Sequence, residues 1–290
     1  MSAERPLVSV LMASYNSERW IEESIESVLA QTYPNVELIV ADDASADATR
    51  KIVRRYRSER VRLLEFNERA GPTRRRNDAL DESRGPLLAW ADHDDVWLPE
   101  KLEKQVPVLE GRPEVGLVYT GFEAFDSETG ATLPWRDERL EAEGQVLSEL
   151  FVNGCFVPSI TVVFRRSAMT RRDLRFREAH FSFGDDYFLW LVLSLDWEFA
   201  RVNEVLVRYR RHGENESSRL ASSNYHLNHV ALLREFVREY PEARQRLGKT
   251  LGAGLAAHYR RAATFELARR RYATSARLAA RAAAAGVFQR

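Results

Sequence analysis

The stretch Leu87–Asp95, LLAWADHDD, decides how the chain is expected to fold. It opens with five apolar residues that have the composition of a buried strand, and it ends with three aspartates around a histidine. Carboxylates are unfavourable inside a sheet without partners or a metal, so they should project from the strand's carboxyl end. Ligands bind at that end in open α/β sheets. The stretch therefore predicts a strand with a site at its end, although an ordinary acidic turn has the same composition.

The spacing of the aspartates indicates what such a site would hold. Asp92 and Asp94 are two residues apart, so an extended backbone would direct both carboxylates to the same side. Two converging oxygen ligands suit Mg²⁺ or Mn²⁺ together with a phosphorylated substrate.

Three more apolar runs precede this one and alternate with segments of helical periodicity. We expect strands at 7–13, 36–41 and 61–64, each followed by a helix, and a fourth strand at 87–91. The first helix should end before Pro34, Ser45 or Asp47 can cap the second, and the third should span 74–83. Strands alternating with helices predict an α/β fold with parallel pairing and right-handed crossovers.

Polar residues follow each predicted strand end. Tyr15 can stack on a base, and Asp42 can accept a hydrogen bond from a base or a ribose. Arg76, in the third helix, could reach a base carbonyl or a phosphate. Each residue alone is weak evidence, since Asp43 could be a helix cap and Tyr15 an aromatic at the edge of the core. Their joint position on successive strand ends predicts a nucleotide site.

This series of motifs resembles the family 2 glycosyltransferases, which have the GT-A fold, a Rossmann-like and mostly parallel central sheet. The resemblance runs from about Pro6 to His212, and one departure is Ala44, where the family usually has glycine. The matching stretches are Val8–Asn16, Ser27–Tyr33, Glu37–Asp47, Gly71-Pro72 with Arg76-Asn77, and Asp92–Asp95.

The resemblance implies transfer of a sugar from a nucleotide-diphosphate donor, with Mg²⁺ or Mn²⁺ on the diphosphate. A UDP-sugar is the expected donor class, and a dTDP- or GDP-sugar stays open because these motifs do not decide the base contacts. Asp92 would lie near the ribose or sugar, Asp94 would ligate the metal, and His93 occupies the family's variable position. The implied nucleotide-sugar site comprises Ser14, Tyr15, Asn16, Asp42, Asp43, Arg76, Asp92, His93 and Arg210.

The second half should supply the acceptor side and the general base. Residues 182–190 resemble the family's glycine, acidic pair and aromatic-rich helix, which makes Asp186 the base. Asp185 stands where the family usually has glutamate. Locally, both aspartates could simply be first-turn residues favoured by the helix dipole. The implied reaction is attack by an acceptor hydroxyl opposite the leaving diphosphate, with inversion at the sugar carbon.

A segment from Tyr209 to Asn215 resembles the family's tyrosine-arginine-any-histidine motif. His212 would ligate the metal or touch the diphosphate, and Arg210 or Arg211 would neutralise phosphate charge. A single histidine in a basic loop is more often only solvated.

The last part of the chain should be helical and basic. We expect a helix at 222–240 and a helical hairpin at 251–269 and 272–284. Residues 220–290 hold 13 Lys and Arg against 4 Glu, and therefore carry a net charge of +9. These helices could brace the acceptor site, form a homo-oligomer or dock on an anionic membrane.

The sequence therefore predicts a GT-A catalytic domain at 1–215 and a helical accessory region at 216–290. The catalytic domain would have a nucleotide-sugar half at 6–110 and an acceptor half at 111–215.

Composition limits the remaining options. Cys155 is the one cysteine among 290 residues, so no internal disulfide is expected. This cysteine content predicts a reducing compartment. No signal segment or long apolar run is recognisable, so we expect a cytoplasmic protein, at or near the inner face of the membrane. Its partners would be a nucleotide-sugar donor and a saccharide or lipid-linked acceptor, not nucleic acid.

Two other classes remain open at this point. A nucleotidyltransferase would usually carry a glycine-rich phosphate loop after the first strand, where this chain has Ser14-Tyr15-Asn16. A non-catalytic sugar-nucleotide-binding module would tolerate loss of Asp94 and Asp186, both of which are present.

Overall fold

The computed structural model describes residues 5–134, 142–177, 185–213, 215 and 223–287. The chain forms two compact units. The first comprises Met1–Asp137, Val157–Glu178 and Trp197–His212, and the second comprises Glu138–Phe156, Ala179–Asp196 and Gly213–Arg290. The boundary between the predicted domains, 1–215 and 216–290, lies close to residue 213, where the second unit begins its last segment. The second unit also includes residues 138–156 and 179–196, which lie within the predicted catalytic domain. That division therefore stays a prediction.

The first unit is built on a nine-stranded sheet. The strands are β1 (Val8–Ser14), β2 (Val36–Asp42), β3 (Val61–Glu65), β4 (Leu87–Trp90), β5 (Val96–Trp97), β6 (Val115–Asp126), β7 (Thr132–Leu133), β8 (Val163–Arg165) and β9 (Glu198–Arg211). Their order in the sheet is β3-β2-β1-β4-β8-β6-β9-β5, with β7 paired to β6. Strands β1 to β4 pair in parallel, as the alternation of strand and helix predicts.

Helices cover this sheet and explain why its central strands are apolar throughout. All seven residues of β2 are buried, which is typical of parallel strands covered on both faces. The helices of the first unit are α1 (Ile21–Leu29), α2 (Thr49–Arg54), α3 (Pro72–Glu82), α4 (Lys101–Gly111) and α6 (Arg166–Thr170).

Two features of the first unit differ from the sequence expectation. Helix α2 has Ala48 as its N-cap and no side-chain cap. The hydroxyl of Ser45 instead donates to Asp42, and Asp47 accepts the N–H of Thr49 at 3.0 Å. The sheet is also mixed beyond β4, because β8 pairs antiparallel with both β4 and β6.

The second unit is helical. Residues 223–239 and the predicted hairpin form helices, which confirms the C-terminal helical extension. The helix predicted at 222–240 ends just before Pro241. Pro241 then begins another short helix, because proline suits the first turn of a helix. The helices are α5 (Leu147–Asn153), α7 (Asp185–Leu193), α8 (Ser223–Glu239), α9 (Pro241–Leu247), α10 (Thr250–Ala268) and α11 (Tyr272–Val287). Within the described ranges, none of the helices is both long and apolar enough to cross a membrane.

Candidate active site

The carboxyl ends of β1, β2 and β4 lie side by side at one edge of the sheet. The register pairs Ser14 with Asp42, the last residues of β1 and β2. It also pairs Leu11 with Trp90, which comes two residues before Asp92. Because the three strands are parallel, the topology brings the polar motifs of the sequence to the same edge.

Hydrogen bonds join the loops that follow β1 and β2. The N–H of Asn16 donates to Ser45 Oγ, and the N–H of Ala46 donates to Asn16 Oδ1, each at 2.9 Å. Asn16 and Ala44 have φ values of 47° and 61°. Asparagine adopts this left-handed region more readily than alanine does. Asn16 therefore holds the two loops together.

Asp42 is fully buried and surrounded by donors. Its Oδ1 accepts the N–H of Ser45 at 3.0 Å and an N–H of Arg50. Its Oδ2 accepts the hydroxyl of Ser14 at 3.3 Å and the hydroxyl of Ser45. A carboxylate offers about four acceptor positions, so these four donors saturate it.

Asp43 is buried and paired with α3. Its carboxylate accepts the Arg75 Nε–H at 2.7 Å and the N–H groups of Ala70 and Gly71 at 2.7 and 2.9 Å. Burial raises the pKa of Asp43, but these N–H donors and the Arg75 charge lower it more, so the pKa lies below its ordinary value. Asp43 thus fixes the loop before α3.

Arg76 and Asp92 come together at the end of β4. The Arg76 guanidinium lies 3.4 Å from the ring centroid of Trp90, and its Nη2 is 3.4 Å from Asp92 Oδ1. The indole N–H of Trp90 donates to the same Asp92 oxygen at 2.9 Å. Nearer the start of the motif series, the Arg69 guanidinium lies 4.0 Å from the ring centroid of Tyr15.

The three aspartates after β4 converge. One carboxylate oxygen from each of Asp92, Asp94 and Asp95 lies within 4.8 Å of the others. The side chains of Asp92 and Asp94 are 31% and 14% exposed, whereas Asp95 is buried. Asp95 Oδ1 accepts the N–H of Arg210 at 2.9 Å. Its Oδ2 is buried and has no hydrogen-bond partner in the described part of the chain.

This crowding shifts proton affinities in opposite directions. Burial raises the pKa of Asp95, and the neighbouring carboxylates of Asp94 and Asp92 raise it further, well above its ordinary value. Burial also raises the pKa of Asp94, but the charge of His93 and the hydrogen bond from His212 lower it more, so the pKa lies below the ordinary value. The crowding of carboxylates thus favours the protonated form of Asp95 and the ionised form of Asp94.

His212 contacts this acidic group directly. Its Nε2 lies 2.9 Å from Asp94 Oδ2, and its ring stacks on Trp20 with centroids 4.0 Å apart. Arg210 Nε donates to the carbonyl oxygen of Asp94 at 2.8 Å, and Arg210 also forms an ion pair with Glu23. The structure thus brings Asp94 together with Arg210 and His212, which lie more than a hundred residues further along the chain.

Two neighbours of the site are absent from the sequence interpretation. Trp20 is the N-cap residue of α1, and Glu23 lies in the first turn of that helix. No spacing in the sequence indicates that these two residues lie at the site, because they contact Arg210 and His212 at the end of β9. His93, for its part, lies with Nδ1 3.1 Å from the carbonyl oxygen of Ala13.

The predicted base lies in the second unit, at the start of α7. Asp186 is half-buried, and its Oδ1 accepts the N–H of Tyr187 at 2.7 Å. The hydroxyl of Tyr187 donates to the carbonyl oxygen of Leu150 at 2.7 Å, which holds the first turn of α7. Asp185 begins this helix, but its side chain and residues 178–184 lie outside the described part of the chain.

The acidic group fits a hard divalent cation. It offers oxygens from three carboxylates, and among the described residues no donor reaches the buried Oδ2 of Asp95. Carboxylates of this kind suit Mg²⁺ and Mn²⁺, and His212 could add a nitrogen that Mn²⁺ also accepts.

Residues 9–173 match the family model described as glycosyl transferase family 2. The chain belongs to this family. The match confirms the expected function: the chain is a nucleotide-sugar-dependent, inverting glycosyltransferase.

Named relatives agree with this assignment. The chain is 32% identical, over 68% of its length and 73% of the relative's, to UDP-Glc:alpha-D-GlcNAc-diphosphoundecaprenol beta-1,3-glucosyltransferase WfgD of Escherichia coli. It is 31% identical to the putative teichuronic acid biosynthesis glycosyltransferase TuaG of Bacillus subtilis (strain 168), over 72% of this chain and 81% of that one.

A solved structure confirms the fold. The mannosyltransferase PcManGT from Pyrobaculum calidifontis, in complex with GDP-Man and Mn²⁺, superimposes with a TM-score of 0.67 at 20% identity, covering 98% of this chain and 77% of that one. The first unit therefore has the GT-A-like architecture that the motif series implies. That protein is in complex with Mn²⁺, and this chain has a group of three converging carboxylates after β4.

Proposed function

We propose that this chain transfers a sugar from a UDP-sugar to a hydroxyl of a lipid-linked saccharide, in the synthesis of a polysaccharide or glycolipid. The observation that carries the donor side is the convergence of Asp92, Asp94 and Asp95 beside Arg76 and His212. The acceptor class is supported by the relatives, one named for a diphosphoundecaprenol-linked substrate and one for teichuronic acid synthesis.

The donor side divides into contacts and supports. Tyr15 and Ser14 would hold the nucleoside, while Arg76 and Asp92 would contact the ribose and diphosphate. The carboxylates of Asp42 and Asp43 are occupied by protein donors, so they would act by holding the loops that shape the nucleoside site. Asn16 would do the same from the first loop, and His93 would contribute through its bond to β1.

Asp94 would hold the Mn²⁺ or Mg²⁺, together with Asp92 and His212. The bound ion would neutralise the charge that develops on the leaving nucleoside diphosphate. Arg210 reaches Asp94 and Asp95 through hydrogen bonds, so it would position the ligands as well as add positive charge near the phosphates.

Asp186 would act as the general base. Its carboxylate would take the proton from the acceptor hydroxyl as that oxygen bonds to the anomeric carbon. The bond from this carbon to the diphosphate oxygen breaks on the opposite face, so the configuration inverts. Asp185 would assist at the same helix start.

We also propose that the chain works on the cytoplasmic face of a membrane. A lipid-linked acceptor requires access to a bilayer, and the C-terminal region carries a net charge of +9 from 13 Lys and Arg and 4 Glu, which favours anionic lipid.

Calorimetric titration with UDP-glucose, UDP-N-acetylglucosamine, GDP-mannose and dTDP-glucose, with and without Mn²⁺, tests the donor. We expect a UDP-sugar to bind most tightly and to need Mn²⁺. Metal-independent binding of every donor would contradict the proposal.

A transfer assay with a lipid-linked saccharide then tests the base. Asp186→Asn should lower transfer by about 10² to 10⁴-fold and leave donor affinity unchanged, because the amide cannot accept the proton. Wild-type protein that binds donor but never transfers would indicate a binding module instead.

A further inference from the structure

Three histidines of the second unit meet outside the site described above. His226 and His229 lie one turn apart on α8, and His258 lies on α10. One ring nitrogen from each lies within 4.8 Å of the others. His229 and His258 are buried, whereas His226 is half-buried and gives solvent a way in.

The hydrogen bonding of His258 fixes which of its nitrogens is available. Its Nε2 lies 3.3 Å from the carbonyl oxygen of Phe151. A carbonyl can only accept, so Nε2 carries the proton and Nδ1 keeps its lone pair in the neutral ring. Metal-binding histidines commonly donate their other ring N–H to a backbone carbonyl in this way.

Two of the ring nitrogens, one on His226 and one on His258, lack a hydrogen-bond partner among the described residues. The atom is Nδ1 in both rings, and it is buried in both. A buried polar nitrogen left unpaired is unfavourable and uncommon in native proteins, so these two nitrogens point to a ligand.

Glycine at position 154 leaves space over the rings. Gly154 has a φ of +92°, and a Cβ there would lie 3.6 Å from Cε1 of His258 and 3.7 Å from Nδ1 of His229. Tyr225 and Tyr187 pack on His229 with ring centroids 4.3 and 5.0 Å away. Aromatic packing explains why these rings lie close together, but it does not require nitrogens without donors.

The charge state of the rings also suits a ligand role. Burial, and after it the charge of Arg261, together lower the pKa of His226 to about 4 and that of His258 to about 3. Neutral imidazole is the form that binds metals. The Arg261 charge opposes any cation, so the group favours an ion that binds nitrogen strongly over Mg²⁺ or Ca²⁺.

We propose that His226, His229 and His258 form a second metal site, which binds Zn²⁺ through three imidazole nitrogens. A three-histidine set leaves a fourth position for water or another ligand. Because the ligands come from α8 and α10, the bound ion would tie these helices together and stabilise the second unit. The site differs from the acidic group in using nitrogen instead of carboxylate oxygen.

The test compares metal-stripped wild type, His258→Gln and Asp94→Ala. The glutamine amide can still donate to the Phe151 carbonyl, so this substitution removes the ligand and keeps the hydrogen bond. Asp94→Ala is the control, because it damages the acidic group and leaves the histidines intact. Zn²⁺ affinity and stoichiometry are measured by calorimetry, the change in Tm by thermal unfolding, and Co²⁺ coordination by visible absorption.

We expect wild type and Asp94→Ala to bind one Zn²⁺ at this site, to gain Tm, and to show the strong Co²⁺ bands of a four-coordinate nitrogen site. His258→Gln should lose at least about 100-fold in affinity, and with it the Tm gain and the bands. His226→Gln, at the half-buried position, repeats the test if His258→Gln does not fold. Equal Zn²⁺ affinity in the glutamine variant, or no Zn²⁺ bound by Asp94→Ala, would overturn the proposal.

Discussion

Acidic residues stand at the carboxyl ends of two strands of the same sheet, and their surroundings differ. Asp42 ends β2 and Asp43 follows it, whereas Asp92, Asp94 and Asp95 follow β4. The Asp42 carboxylate accepts four hydrogen bonds, and the Asp43 carboxylate is paired with Arg75 and two backbone N–H groups. The acidic group after β4 is partly exposed, and it includes a buried oxygen to which no described residue donates.

The difference shows that the donors around a carboxylate, more than the number of aspartates in a motif, separate a structural role from a ligand role. A saturated carboxylate can contribute to binding only through the loops that it orders. A carboxylate with unused lone pairs, in a crowded negative group, gains from a cation. Substitutions in the two places should therefore have different effects, one on stability and the other on catalysis.

The largest effect is expected at Asp94. Asp94→Ala should lower metal-dependent transfer by at least about 10³-fold, because the leaving diphosphate loses its neutralising ion. Initial rates at saturating Mn²⁺ measure the loss, and thermal unfolding checks that the variant is folded. Transfer near the wild-type rate would show that Asp94 does not hold the metal ion.

A second, smaller effect is expected at Asp43, and it concerns stability. The side chains of Asp43 and Arg75 are 4% and 6% exposed, and removing one member of a buried pair costs roughly 3 to 5 kcal/mol. Because Arg75 keeps Asp78 at 2.7 Å, we expect Asp43→Ala to lower the free energy of unfolding by about 3 kcal/mol. Urea unfolding measures it.

The matched control for this experiment is Asp92→Ala, which should change the free energy of unfolding by less than about 1 kcal/mol because Asp92 is 31% exposed. If both variants lose the same stability, the contrast between the two acidic groups is wrong.

The smallest effect is expected in the loop after β2. Ala44 has a φ of 61°, a region that is strained for alanine and open to glycine. Ala44→Gly should therefore raise the free energy of unfolding by about 1 kcal/mol. Ala46→Gly, two residues on, lies outside the left-handed positions of the described chain and should lower stability instead. Equal shifts in the two variants would show that the loop stores no strain.

Local pattern predicted much of the fold. Strands β1 to β4 and helices α8, α10 and α11 follow apolar runs and helical periodicity, which are properties of neighbouring residues. The pairing of β8 with β4 and β6 depends on residues far apart in the chain, so no local pattern indicates it. Helix α9 was missed because Pro241 looks like a stop signal as much as a start.

The site was predicted by motif and completed by contacts. Asp92, Asp94 and His212 follow from the motif series, and the structure places Asp94 against His212. The contact of Trp20 with His212 depends on how α1 packs, and no spacing in the sequence signals it. The saturation of Asp42 likewise depends on partners such as Arg50 that only the folded loop supplies.

The central claim is that the acidic group after β4 holds the ion of the donor, whereas the one after β2 does not. Titration of Mn²⁺ in the presence of UDP, on wild type, Asp94→Asn and Asp43→Asn, tests it most directly. We predict that Asp94→Asn loses at least about 100-fold in Mn²⁺ affinity, because it removes a charged ligand, and that Asp43→Asn stays within several-fold of wild type. Equal losses in both variants, or unchanged affinity in Asp94→Asn, would contradict the account.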